Sequence, residues 1–121
     1  MLAQARAALP NECVGLLAGQ PGSPVAGHYP LRNALASPVE YESDAHDMFD
    51  AVRDMRQKGI DIVAVYHSHP TSAPIPSRKD RERNYSPDVV NFIISLQGPE
   101  PVMRGWWLTE ADYREAEWEI I

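Results

Sequence analysis

"IDIVAVYHSH", residues 60–69, is the stretch on which the fold turns. It is apolar and β-branched at successive positions, the pattern of a central strand covered on both faces. Successive side chains of a strand point to opposite faces, so His67 and His69 project together and Ser68 points away. The strand therefore ends in two imidazoles aimed the same way. They sit at the carboxyl end of a central strand, where open α/β sheets place their ligands.

Toward the amino terminus, residues 44–58 keep Met48, Ala51, Val52 and Met55 at helical spacing, and Gly59 is a fitting C-terminal stop. "CVGLLAG" (13–19) reads as a buried strand closed by the turn "QPGSP" (20–24). "VAGHYPLRN" (25–33) reads as a second strand, at an edge because Pro30 cannot donate to a ladder. "LAQARAAL" (2–9) is a short helix ended by Pro10. On the other side, "PTSAPIP" (70–76) is a stiff loop and "SRKDRERNY" (77–85) a short charged helix. "DVVNFIISL" (88–96) and "MRGWWLT" (103–109) are further strands. "REAEWEI" (114–120) alternates Ala116, Trp118 and Ile120 against Glu115, Glu117 and Glu119. Strands and helices interleave, so the expected class is α/β or α+β, with a mixed β-sheet flanked by helices in a single domain, residues 1–121.

Composition bounds the function. At 121 residues the chain can bury a core without staples, and 44% apolar with 23% charged residues is ordinary for a globular protein. A formal net charge of −6 argues against binding nucleic acid or an anionic membrane, since phosphate contacts need a basic face. The one cysteine, Cys13, precludes an internal disulfide and a cysteine-rich zinc module. There is no membrane-spanning apolar run and no signal-peptide pattern in "MLAQARAALPNE", so a cytoplasmic protein is expected.

The chemistry gathers at the strand end. Two same-face imidazoles can take adjacent corners of a metal's coordination sphere, and Asp80 is the candidate third ligand. With Ser77 as N-cap of the charged helix, Asp80 is its N3 residue and lies on the same side of the first turn. Two histidines and one carboxylate leave a fourth tetrahedral position open, the pattern of a catalytic zinc, which can acidify water and polarise a carbonyl. A hydrolase of this kind needs a general base. Glu12, set between a helix and a buried strand, is the best local candidate, because few carboxylates belong there unless they are used.

"NECVGLLAG" followed by "YHSHPTSAPIPSRKD" resembles the JAMM (JAB1/MPN/Mov34) metalloprotease family. The shared signature is an upstream glutamate, His-x-His-Pro and then Ser-x-x-Asp, and the likeness extends over nearly the whole chain. The resemblance implies that His67, His69 and Asp80 bind one Zn2+, that Glu12 activates the water, and that Ser77 hydrogen-bonds the oxyanion. It implies a cytidine-deaminase-like α-β-α fold. It also implies cleavage after the C-terminal Gly-Gly of a ubiquitin-like or sulfur-carrier protein, a peptidase or isopeptidase activity. Family members carry a strand ahead of the first helix, whereas this chain begins inside that helix. The sheet is therefore expected to lack an edge strand unless the start is truncated. The oligomeric state, a homodimer included, stays open.

Plainer readings stand beside these. His-x-His alone is an ordinary strand end, and Ser77-x-x-Asp80 alone a capping pair. Cys13 is expected to be a buried structural thiol. Ser68 is expected to bond nearby backbone or to support the site from behind. His28 and His46 are expected to face solvent, and Trp106 and Trp107 to be core and sheet-surface residues. Arg78, Lys79, Arg81 and Arg83, interleaved with Asp80 and Glu82, suggest a solvated helix face. The competing functions are a non-catalytic MPN-type scaffold and a metal-dependent small-molecule hydrolase or deaminase. The second is weakened by the lack of a Cys-x-x-Cys pair.

Overall fold

The computed structural model describes residues 1–20, 22–82, 84 and 87–118. The elements run α1 (Leu2–Ala8), β1 (Val14–Gly19), β2 (Gly27–Leu31), α2 (Ala45–Lys58), β3 (Asp61–His69), α3 (Arg78–Glu82), β4 (Val90–Ser95), β5 (Val102–Leu108) and β6 (Tyr113–Ala116). The six strands form one mixed sheet in the order β2-β1-β3-β4-β5-β6. All neighbours are antiparallel except β3 and β4, which run parallel.

The reading of residues 60–69 holds: β3 is an interior strand, buried at every position from Ala64 to His69. Pro30 lies on the edge strand β2, as its missing N–H requires. Several elements are shorter than their patterns, because tertiary pairing sets where a strand ends. The second strand keeps only Gly27–Leu31 and the last only Tyr113–Ala116. Trp118 lies beyond β6 and meets the Phe92 ring edge-on at 5.4 Å. Glu119 and Ile120, part of the expected alternation, fall outside the described residues, as do Arg83 and Tyr85 of the charged segment. Among the described residues, no helix is long and apolar enough to cross a membrane.

The helices cover opposite faces of the sheet. On one face α1 contributes Ala5 to a cluster with Cys13, Leu17, Ala64, Tyr66, Phe92 and Ile94. On the other, Ala51 and Met55 of α2 pack against Val14, Leu16, Ala18, Leu31 and Val65. Further along that second face lies a smaller cluster, Ile93, Trp106 and Leu108. His67 and His69 follow Val65 in period-two register, so they emerge on this α2 face between its two apolar clusters. The helix α2 is well punctuated. Asp44 accepts the Asp47 N–H at 3.0 Å as N-cap, and Gly59 closes the helix at φ +67°, where glycine carries no Cβ penalty. Arg32, just past β2, bridges Asp44 and Asp47 and ties the start of α2 to the sheet.

One row across the α1 face shows how closely the sheet is fitted. Gly15 stands opposite Tyr66, and Gly105 opposite Phe92, each in an antiparallel pair. In both pairs the aromatic ring folds over the glycine. A Cβ added at Gly15 would meet the Tyr66 hydroxyl oxygen at 2.1 Å, and one at Gly105 would meet the Phe92 ring at 2.9 Å. The fully buried Tyr66 hydroxyl is held there by Gln4 of α1 and by His28 Nε2 of β2 at 2.6 Å. Replacing Gly15 by alanine must displace a buried, hydrogen-bonded ring. We expect Gly15→Ala to cost about 1–3 kcal/mol of stability in urea unfolding, as overpacked cores do, whereas alanine at the open loop position Gly98, with its nearest contact at 3.8 Å, should have little effect.

Candidate metal centre

His67 and His69 end β3, and Asp80 stands on the first turn of α3; all three are buried. The proline loop between them brings the helix start back over the sheet. Ser77 and Asp80 form the expected reciprocal cap, with the Asp80 N–H donating to Ser77 Oγ at 3.1 Å and the Ser77 N–H to Asp80 Oδ2 at 2.9 Å. The same carboxylate meets both rings, His67 Nε2 at 3.1 Å from Oδ1 and His69 Nε2 at 3.0 Å from Oδ2. The two Nε2 atoms are themselves 3.1 Å apart.

That triangle fits a cation. Ligands at about 2.0–2.2 Å in a tetrahedral arrangement stand roughly 3.3 Å from one another, close to the spacing found. The donor chemistry agrees. His69 Nδ1 lies 2.8 Å from the Ala73 carbonyl, which can only accept, so Nδ1 keeps a proton in either charge state, and once Nε2 gives up the proton it shares with Asp80 its lone pair faces inward. Two imidazole lone pairs and a carboxylate crowded together in a buried site are stabilised by a positive charge among them.

Glu12, in the connection between α1 and β1, is 5% exposed, and its Oε1 has no hydrogen-bond partner. Its carboxyl is pushed up to about 7, chiefly by burial and further by Asp80 and Glu40, with His69 and Lys79 pulling the other way. The cluster therefore reaches across more than fifty residues of sequence, and its electrostatics couple Glu12 to both His69 and Asp80. For Asp80, burial works against the charge, but the His67 ring and hydrogen bonds from both histidines and the Ser77 N–H hold it well below the usual carboxylate range. His69 is raised: burial opposes its cation, and the bonds to Asp80 and Ala73, with Glu12 nearby, outweigh that.

The structure gathers five of the six residues singled out from the sequence, and Ser68 lies on the opposite face of the sheet. His67, His69 and Asp80 converge, Glu12 is buried beside them, and Ser77 caps α3 with an exposed side chain. Ser68 does more than bond nearby backbone. Its Oγ accepts the Cys13 N–H at 2.8 Å and its N–H reaches the Cys13 carbonyl at 3.1 Å, a link between residues 55 positions apart. Cys13 is a buried free thiol, pushed up by burial, as expected. His28 and His46 are exposed, although His28 reaches Tyr66 and His46 pairs with Asp50. Of the basic residues on α3, Lys79 is more than solvated, since it pairs with Glu40 across the mouth of the site.

Residues 33–43 had no periodic pattern to mark them, yet they wall one side of the site. Asn33 Nδ2 donates to the carbonyls of Glu12 (3.2 Å) and Glu40 (2.9 Å), and the Glu12 N–H donates to Ser37 O at 2.8 Å. Tyr41 stacks on His67 with ring centroids 4.6 Å apart. The general-base candidate is thus fixed by its backbone on both sides. The one available signal was the Asn-x-x-x-Ser polarity of a loop.

Comparison with known proteins agrees with this geometry. Residues 1–109 match the family described as prokaryotic homologs of the JAB domain. The chain belongs to that family. It is 40% identical over 91 residues to a desampylase of Haloferax volcanii, a match covering 74% of this chain and 66% of the relative. It is 35% identical over 100 residues to a CysO-cysteine peptidase of Mycobacterium tuberculosis, covering 82% of this chain and 68% of the relative. The solution structure of protein DSY2949 from Desulfitobacterium hafniense superposes with a TM-score of 0.85 at 37% identity, covering 97% of this chain and 83% of that one. The matched stretch thus spans about two thirds of the length of these curated relatives. The family is metal-dependent, and His67, His69 and Asp80 form a buried group whose ligand atoms lie close enough together to hold an ion, as do the more exposed Asp44, His46 and Asp47.

Metal uptake should strengthen with pH. A raised His69 must lose its proton before Nε2 can bind, and Glu12 becomes an anion only near pH 7. Both changes favour the cation as pH rises. Chelator competition between pH 5.5 and 8 should show affinity climbing and then levelling, with protons released on binding. A flat profile would contradict the assignment.

Proposed function

We propose that the chain is a zinc-dependent metallo-(iso)peptidase that hydrolyses the amide bond after the C-terminal Gly-Gly of a ubiquitin-like or sulfur-carrier protein. Residues 1–121 act as one cytoplasmic domain, with one Zn2+ held by His67, His69 and Asp80. The observation that carries the reading is the buried carboxyl of Glu12, unpartnered at Oε1 and held near neutrality beside that ligand group. A structural carboxylate would be paired; a general base has to be free to exchange a proton near the working pH.

The bound cation supplies Lewis acidity, polarising the scissile carbonyl and making water acidic enough to be deprotonated near neutral pH. The chain's own residues do the rest. Glu12 takes a proton from the attacking water and returns it to the departing amine, so that it starts and ends the cycle as the anion. Ser77 Oγ accepts the Asp80 N–H and keeps its hydroxyl hydrogen to donate to the carbonyl oxygen as charge builds there. Ser77 is exposed, so a substrate chain can reach it. Ser68 and Asn33 hold the Glu12–Cys13 backbone still, and little reorganisation is then needed at the moment of reaction.

The substrate class is supported by the relatives' names: a desampylase, a CysO-cysteine peptidase and a probable TtuB-protein conjugate cleaving protease from Thermus thermophilus. The purified protein should carry close to one zinc per chain and lose activity to a chelator. Glu12→Gln should retain zinc while hydrolysis of a Gly-Gly-extended carrier falls by about 10²–10⁴, the range lost with a general base. Mass spectrometry of the carrier reads the result. A Glu12→Gln variant with full activity would overturn the mechanism, and a zinc-loaded wild type that cleaves no such carrier would leave a scaffold.

A further inference from the structure

Three consecutive carbonyls of the proline loop are each caught by a side chain from a different strand. Ser72 O accepts from Ser95 Oγ of β4 at 2.6 Å. Ala73 O accepts from His69 Nδ1 of β3 at 2.8 Å, and Pro74 O from Trp106 Nε1 of β5 at 2.9 Å. These strands are adjacent in the sheet, and the three side chains rise from the same face. All three donors are nearly inaccessible, with Ser95 at 2%, His69 at 5% and Trp106 at 5% exposure. Residues 72–74 themselves are half-buried or exposed, but a buried hydroxyl or ring N–H left without an acceptor keeps the penalty of its desolvation, so each donor holds the loop to its place.

We propose that Ser95 and Trp106 are positioning residues for the metal centre: with His69 they clamp the carbonyls of residues 72–74 and so set where the loop delivers Ser77 and Asp80. The inference rests on the reading that His67, His69 and Asp80 hold a divalent cation. From the Pro74 carbonyl only Ile75 and the buried Pro76 intervene before the Ser77 cap. Prolines at 70, 74 and 76 fix φ along the loop, so holding three carbonyls determines the rest of its path. His69 joins the two systems directly. The ring that turns Nε2 to the cation holds the loop through Nδ1, and a displaced loop therefore rotates a ligand. Trp106 is a stiff anchor. It packs with Ile93 and Leu108, meets Tyr113 edge-on at 5.3 Å, and carries the Arg104 guanidinium 4.6 Å from its ring centroid.

The test separates positioning from simple support. Trp106→Phe keeps an aromatic ring and removes the N–H. Ser95→Ala removes the hydroxyl, and Ser95→Thr keeps it. Zinc affinity is measured by competition with a chromophoric chelator, and ligand geometry by the visible spectrum of the Co2+-loaded protein. Trp106→Phe and Ser95→Ala should each weaken zinc roughly 10- to 100-fold, as loss of a ligand's supporting partner does. Both should shift the Co2+ bands and, at saturating zinc, lower kcat with KM unchanged; Ser95→Thr should restore all three. Wild-type zinc affinity and Co2+ spectra in both deletion variants would overturn the clamp while leaving the metal centre standing. A wild type that takes up neither ion would overturn the centre and the clamp together. One readout needs no variant: the Trp106 indole N–H, assigned among the three tryptophan signals by NMR, should exchange slowly with solvent, and rapid exchange would also sink the proposal.

Discussion

The interior strand β3 serves both faces of its sheet at once. Its period of two sends His67 and His69 to the α2 face and Tyr66 and Ser68 to the α1 face. The forward pair meets Asp80, while Ser68 behind it grips the Cys13 backbone and thereby sets the residue next to it, Glu12. Ligand and base candidates come from segments far apart in sequence, yet both are referenced to the same four residues of backbone. A slip of one position in the β1–β3 register would turn every one of these side chains to the wrong face.

The electrostatics follow from that arrangement. Burying two imidazoles and two carboxyls together disfavours charge, and the two carboxyls respond in opposite ways. Asp80 remains an anion because three hydrogen bonds converge on its carboxylate, from both histidines and the Ser77 N–H, whereas Glu12, with none at Oε1, drifts toward neutrality. Two carboxyls in one small volume thus acquire opposite characters, one a fixed charge and one a proton carrier. Burial, the leading cause for both, pushes them the same way; the hydrogen bonds decide between them.

Much of this could be read from residues alone where the signal was periodic or compact. The apolar run from Ile60 gave the interior strand, His-x-His its shared face, and Ser77-x-x-Asp80 the cap that is also a ligand position. Glu12 was conspicuous as a carboxylate where few belong. What could not be read depended on distance. Ser68 bonds a partner 55 residues away, Asn33 one 21 residues away, and Trp106 one 32 residues away. A tryptophan in a strand reads as core, and nothing local reveals that its N–H is committed to a carbonyl across the sheet. Tyr41 over His67 was invisible for the same reason, since its loop has no period to recognise. Strand ends were overestimated because side-chain alternation continues past the last paired residue.

The ring of Tyr66 lying over Gly15 has a consequence for how this sequence can change over generations. The two positions share one volume, so neither drifts independently: position 15 can grow only after position 66 has shrunk. The route between two such states passes through a clash or a cavity, and both are costly in a close-packed interior. Gly105 and Phe92 stand in the same relation two strands away. In lineages descended from this chain, substitutions at these positions should therefore appear in pairs, and the face opposite the metal centre should change more slowly than its lack of chemistry would suggest.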